Sequence, residues 1–220
     1  MRAFFEKTRL LAIDTTSEFG SLALMEGSLL VEEVPLHSPE GFAHILFEHI
    51  ERLLERNGLR LEDLDGFASA SGPGSFTGVR VGLTAVKGLA EAVGRKVVAV
   101  SNLQALAWFG ARPLRAPVLD ARRGEVFGAV YDTELRPVRE EVVMKFPAWI
   151  ATLPEGGLEL ISNGFPLPPV KFPVLEAPRA LARAVGGIAA ARFAAGLEAD
   201  PAVIDANYVR RSDAELFWRE

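Results

Sequence analysis

The sequence predicts an α/β protein built from two related lobes, and three observations carry that expectation. An apolar run, Leu10-Leu11-Ala12-Ile13-Asp14, ends in a carboxylate, turns through 15–20 and returns as Ser21 to Met25. The pattern recurs at Ala116-Pro117-Val118-Leu119-Asp120, with Arg122-Arg123-Gly124 as the turn and Val126 to Tyr131 as the return. Segments of helical period follow each hairpin, so paired strands alternate with helices. Asp14 and Asp120 then stand at corresponding strand ends.

The elements follow in order. Residues 1–8 read as a short extension. After the first hairpin, Glu26-Gly27 turns into a third strand from Leu29 to Val34. Ser38-Pro39 is expected to open a helix over 39–57 as N-cap and first-turn proline, with Gly58 ending it. Its apolar stripe is Phe42, Ile45, Leu46, His49, Ile50, Leu53 and Leu54. A buried strand at 64–70 leads into Ser71-Gly72-Pro73-Gly74-Ser75-Phe76-Thr77-Gly78 and a helix from Thr77 to Val93. A strand at 96–101 and a helix from Asn102 precede the second hairpin. The proline-rich stretch 154–178 reads as loop with a short strand at 158–162, and 180–196 as an alanine-rich helix. A boundary is expected near 103–113. It divides the chain into lobes 1–103 and 104–220, with the last residues returning to the first lobe.

Composition bounds the function. Of 220 residues, 49% are hydrophobic and 24% charged, as in an ordinary globular protein. A net charge of −5 argues against a stand-alone nucleic-acid binder. The absence of cysteine excludes disulfides, thiol nucleophiles and thiolate metal sites. The first residues lack a signal-peptide pattern and no stretch reads as a membrane span, so a cytoplasmic location with no membrane partner is expected.

The glycine loop between strand and helix carries the strongest local signal. It lacks the Gly-Lys-Ser/Thr of a Walker A loop, and Phe76 stands where a Gly-x-Ser-x-Gly elbow would hold its nucleophile. Two readings remain. Gly72, Gly74 and Ser75 expose helix amides that bind an anion, or the loop is a tight turn that sets how closely the helix packs. The stripe Gly78, Gly82, Ala85, Leu89 favours close packing, since small side chains let another helix approach. Asp14, beside Thr15 and Thr16, either holds a hydrated Mg²⁺ near a phosphate or accepts turn N–H groups. Asp120 has the same two readings, with an ion pair to Arg122 or Arg123 as a third. His44 and His49 are five apart, the wrong spacing for a zinc pair on one helix face. No catalytic set and no metal site are read. The two helices 39–57 and 77–93 present apolar or small-residue surface beyond one buried stripe, as in a dimer-forming helical interface built from Phe42, Ile45, Leu46, His49, Gly78, Gly82, Ala85 and Leu89.

The run SGPGSFTGVRVGLTAVKGLA, with LLAIDTTSEFGSLAL before it and DARRGEVFGAVY after it, closely resembles the bacterial TsaB (YeaZ) family. The likeness extends from about Leu10 to Phe127 and more weakly to Tyr208-Val209-Arg210. Phe42 stands where many members have a histidine. The resemblance implies an actin/Hsp70-like (ASKHA, RNase H-like) fold of two lobes, each a mixed sheet flanked by helices. It implies a non-catalytic paralogue of TsaD that supports N6-threonylcarbamoyl modification of the adenosine 3′ of the anticodon in tRNAs reading ANN codons. The implied partners are a TsaD-type catalytic subunit bound through a helical bundle, a TsaE-type ATPase, tRNA only through the complex, and a second copy in isolation. It implies no cofactor of the chain's own, ATP being used by the complex, with weak nucleotide binding at most. A nucleotide-binding enzyme of the same superfamily, a small kinase or peptidase-like protein, is the competing reading. It requires Asp14 and Asp120 to face one cleft.

Overall fold

The computed structural model describes residues 8–209; the extension before Thr8 and Arg210-Arg211 lie outside the described residues. The first sheet comprises β1 (Arg9–Asp14), β2 (Phe19–Glu26), β3 (Leu29–His37), β4 (Gly66–Ala70) and β5 (Lys96–Val100) in the order β3-β2-β1-β4-β5. The second comprises β6 (Leu114–Asp120), β7 (Glu125–Tyr131), β8 (Pro137–Lys145), β9 (Leu158–Ser162) and β10 (Val174–Glu176) in the order β8-β7-β6-β9-β10. In each, the first three strands form an antiparallel meander and the last two add in parallel. The two sheets are therefore topological copies, and the repeat read at Asp14 and Asp120 is a duplication of the whole sheet.

Why β1 reads as an unbroken apolar run follows from its position. Leu11 and Ile13 face one layer of helix, while Leu10 and Ala12 face another. A strand covered on both faces has no polar side to alternate with. The helices are α1 (Leu46–Arg56), α2 (Phe76–Val93), α3 (Asn102–Ala107), α4 (Phe146–Thr152) and α5 (Ala182–Ala194). Helix α2 starts with Ser75, whose hydroxyl accepts from the Gly78 amide, and stops at Gly94 in the left-handed conformation.

Two helices cross between the lobes. Helix α3 follows the first sheet but packs on β6, β7 and β9, while α5 follows the second sheet but packs on β1, β2, β4 and β5. Arg192 on α5 donates to Ala99 O and Gln104 Oε1, both at 2.7 Å, joining the exchanged helices. Past α5 the chain bridges β5 through Val97 and Ala199, then reaches the glycine loop, where Asn207 N donates to Ser71 O at 2.7 Å.

The first helix departs from expectation. It begins at Leu46, not at residue 39. Gly41 has φ +91° and breaks any helix there, and the Ser38 hydroxyl donates to Gly41 O instead of capping an amide. Phe42 consequently precedes the helix. It is 2% exposed and packs over Gly20, where an ideal Cβ would lie 2.7 Å from Phe42 Cζ. Strands β8 and β10 and helix α4 are also additional to the sequence reading, whereas the strand 158–162 and the helix near 180–196 are present.

Candidate functional site

The two lobes enclose a cleft of about 1160 Å³. Asp14, Thr15, Thr16, Gly74, Ser75 and Asp120 line it; Gly72 does not, its amide being bound to Asn102 Oδ1 at 2.8 Å. The two hairpin ends thus meet at one cavity, but their carboxylates are inequivalent.

Asp14 is 1% exposed and fully engaged. It accepts from the Thr16 amide at 3.0 Å and the Thr16 hydroxyl at 2.6 Å. That hydroxyl in turn accepts from the Asn102 side chain. Burial pushes the Asp14 carboxyl above its ordinary value, opposed by hydrogen bonds from Thr16 and the Leu181 amide. The amino terminus of α5 sits directly on this corner. Ala182 N donates to Ser21 Oγ at 2.9 Å and Arg183 N to Glu33 Oε1 at 3.1 Å. Acceptors and acids from the first sheet therefore cap the positive end of α5. Asp120 is instead half-exposed and accepts from its own turn, at Arg122 N, 2.8 Å, with Arg122 Nη1 at 3.9 Å. Among the described residues no group of three or more His, Cys, Asp or Glu side chains is placed to hold a metal ion.

The glycine loop is locked to the Asp14–Thr16 turn. Ser75 N donates to Thr16 O at 2.7 Å, and the Thr15 hydroxyl donates to Gly78 O at 2.7 Å. An ideal Cβ would lie 2.6 Å from Thr16 O at Gly74, 2.1 Å from Thr15 O at Gly78, and 2.7 Å from Thr15 Oγ1 at Gly82. Here the structure corrects the interface expectation. Gly78 and Gly82 face inward, and their small size lets α2 approach its own sheet rather than a foreign helix. Phe42 is likewise spent on the core. Ile45 and Leu89 pack partly buried against the first-lobe core, and His49 is half-buried.

Of the expected interface residues, Leu46 and Ala85 line a second cavity, an open groove of about 440 Å³ between α1 and α2. Its rim is formed by residues outside the sequence-read stripes. Phe47 and Phe76 are 55% and 49% exposed. Phe47 lies off the apolar stripe of α1 and Phe76 is the first residue of α2, one position before the helix start read from the sequence; a large aromatic outside the apolar stripes was the available signal.

A family model, TsaD: tRNA N6-adenosine threonylcarbamoyltransferase, matches residues 34–204. The chain belongs to the TsaD family. Within it the likeness is to the TsaB, or YeaZ, members. The tRNA threonylcarbamoyladenosine biosynthesis protein TsaB of Bacillus subtilis is 34% identical over 124 residues, which is 56% of this chain and 54% of that protein. TsaB of Escherichia coli is 37% identical over 131 residues, 57% of this chain and 56% of that protein. The chain spans about half the length of the curated relatives it matches. YeaZ from Pseudomonas aeruginosa superposes with a TM-score of 0.76 at 27% identity over 91% of this chain and 99% of that one. A protein with similarity to peptidase YeaZ from the same organism gives 0.78 at 26%, over 92% and 100%. The two duplicated sheets with exchanged helices are the actin/Hsp70-like fold that the family resemblance implied.

Proposed function

We propose that the chain is a non-catalytic assembly subunit in tRNA threonylcarbamoyladenosine biosynthesis, which binds and supports a TsaD-type catalytic subunit through the α1/α2 face. The observation that carries this is the open groove between those helices, rimmed by Phe47 and Phe76. Exposed aromatics of this size around an apolar depression mark a protein contact. The TsaB relatives are named for the same biosynthesis. The reaction itself, ATP use with a TsaE-type ATPase and tRNA binding then belong to the complex, in the cytoplasm, and a homodimer through the same groove competes with the TsaD-type partner.

The test is size-exclusion chromatography with light scattering, mixing the chain with the TsaD-type subunit of its own source. A one-to-one complex that replaces any homodimer is expected. Phe47→Glu combined with Phe76→Glu should abolish it while leaving the chain folded, because both side chains are exposed. No complex at micromolar concentration would overturn the reading.

The cleft favours a second reading, a nucleotide-binding role, since Asp120 and the amino terminus of α2 both border it. Calorimetry with ATP on Asp120→Asn separates the two: nucleotide affinity that depends on Asp120 supports the second reading.

A further inference from the structure

The α1/α2 groove contains one charge, and it is held in place. Among the groove's lining residues Arg80 alone is ionised; the others include Phe47, Phe76, Val81, Thr84 and Ala85. The Arg80 guanidinium lies 3.7 Å from the centroid of the Phe76 ring. Its Nε donates to the Tyr208 hydroxyl at 3.2 Å, and the Tyr208 ring packs 6.0 Å from that of Phe76. Tyr208 arrives from the carboxy-terminal segment, which is anchored one residue earlier at Asn207. Stacking fixes the plane of the guanidinium, and the Tyr208 bond uses Nε. The two terminal NH₂ groups make no hydrogen bond or ion pair among the described residues.

A helix seated in this groove would strip water from Arg80. A buried charge left unpaired is costly, and stacking on one aromatic face compensates it only in part. The fork that remains open is the one that matches a carboxylate in two parallel hydrogen bonds. We propose that Arg80 is the specificity determinant of the groove and that its partner is an amphipathic helical surface carrying an Asp or Glu among apolar side chains. This rests on the assembly reading above and names the chemistry its partner must present. A second copy of this chain is the poorer occupant. The groove's own lining supplies no carboxylate, and two copies meeting groove to groove would each present Arg80 and no acid from that lining. Like charges then oppose self-association, while an acidic partner is drawn in.

The experiment measures, by calorimetry at two salt concentrations, the affinity of the full chain for the TsaD-type subunit of its source. Wild type is compared with Arg80→Met, which keeps the apolar stem, and Arg80→Glu. Circular dichroism confirms folding, as expected for an exposed side chain. Arg80→Met should weaken the heterocomplex by about 30-fold or more and flatten its salt dependence, and Arg80→Glu should weaken it further. Self-association of Arg80→Met, measured in parallel, should be unchanged or stronger. Equal affinity of wild type and Arg80→Met overturns the inference and leaves the assembly reading standing. Loss of self-association with an intact heterocomplex also overturns it, because the carboxylate then belongs to a second copy. Failure of the wild-type chain to bind overturns both.

Discussion

Gly78 and Gly82 set the distance between α2 and the Asp14–Thr16 turn, so their substitutions act on the fold. An added Cβ at Gly78 meets a backbone oxygen at 2.1 Å, which cannot rotate away. Gly78→Ala should therefore lower stability by about 2–3 kcal/mol. Gly88, on the same helix, has nothing within 4 Å of an added Cβ. Gly88→Ala should raise stability by about 0.5–1 kcal/mol through helix propensity alone. Urea denaturation of the pair checks both signs. Asp14 gives a pH-dependent counterpart. Its folded value is raised by burial, so the stability it contributes is complete below the ordinary carboxylate value and is lost as pH rises through the raised one. Asp14→Asn carries no such loss. The stability of wild type relative to that variant should fall as pH rises from roughly 4, the ordinary carboxylate range. A difference that stays flat to neutral pH would show that burial does not perturb Asp14.

At the scale of elements, α1 and α2 share one division of labour. Each turns a stripe inward, with Leu53 and Leu54 on α1 and Val79, Leu83 and Val86 on α2 buried in one core. What remains outside is the groove with Phe47, Phe76 and Arg80. The expected loss of the heterocomplex in Phe47→Glu with Phe76→Glu, and its weakening in Arg80→Met, belong to this outer face. Neither should move the urea midpoint as Gly78→Ala does. The unhelical stretch before α1 has its own logic. Gly41 directs Phe42 onto Gly20, closing the cleft-side end of the first sheet.

At the scale of the molecule, Glu141 is the point where three separate segments meet. It accepts from the Ser101 hydroxyl at the start of α3, from the Tyr131 hydroxyl at 2.6 Å on β7, and from Asn207 Nδ2 at 2.6 Å in the carboxy-terminal segment. Burial and the adjacent carboxylate push the Tyr131 phenol well above its usual value, so it remains a donor at any physiological pH. Glu141→Ala removes the acceptor that all three donors share, leaving Asn207 Nδ2 only a long bond of 3.4 Å to Gly72 O, and should cost about 3 kcal/mol. Hydrogen exchange should then quicken at Asn207, whose amide pairs with Ser71 O. Unchanged protection there would show that the segment is held without Glu141. Because Tyr208 follows directly, this network also fixes the residue that steadies Arg80.

The sequence by itself determined the elements whose rules are local. The run Leu10 to Asp14 and its echo at Ala116 to Asp120 specify two hairpins, and the apolar period from Thr77 to Val93 specifies α2 to within a residue, because strand and helix periods act over a few residues. The duplication was legible for the same reason. Only the tertiary structure decided what faced what. The stripe Gly78, Gly82, Ala85 has the same spacing whether it meets a partner helix or its own sheet; contacts with Thr15 and Ser69 settle Gly78 and Gly82 as the latter, while Ala85 also lines the outer groove. The exchange of α3 and α5 between lobes, the sequestration of Asp14 beneath α5 and the placement of Arg80 between Phe76 and Tyr208 each join residues far apart in the chain. Such contacts arise from packing and loop closure, which leave no periodic trace in the sequence.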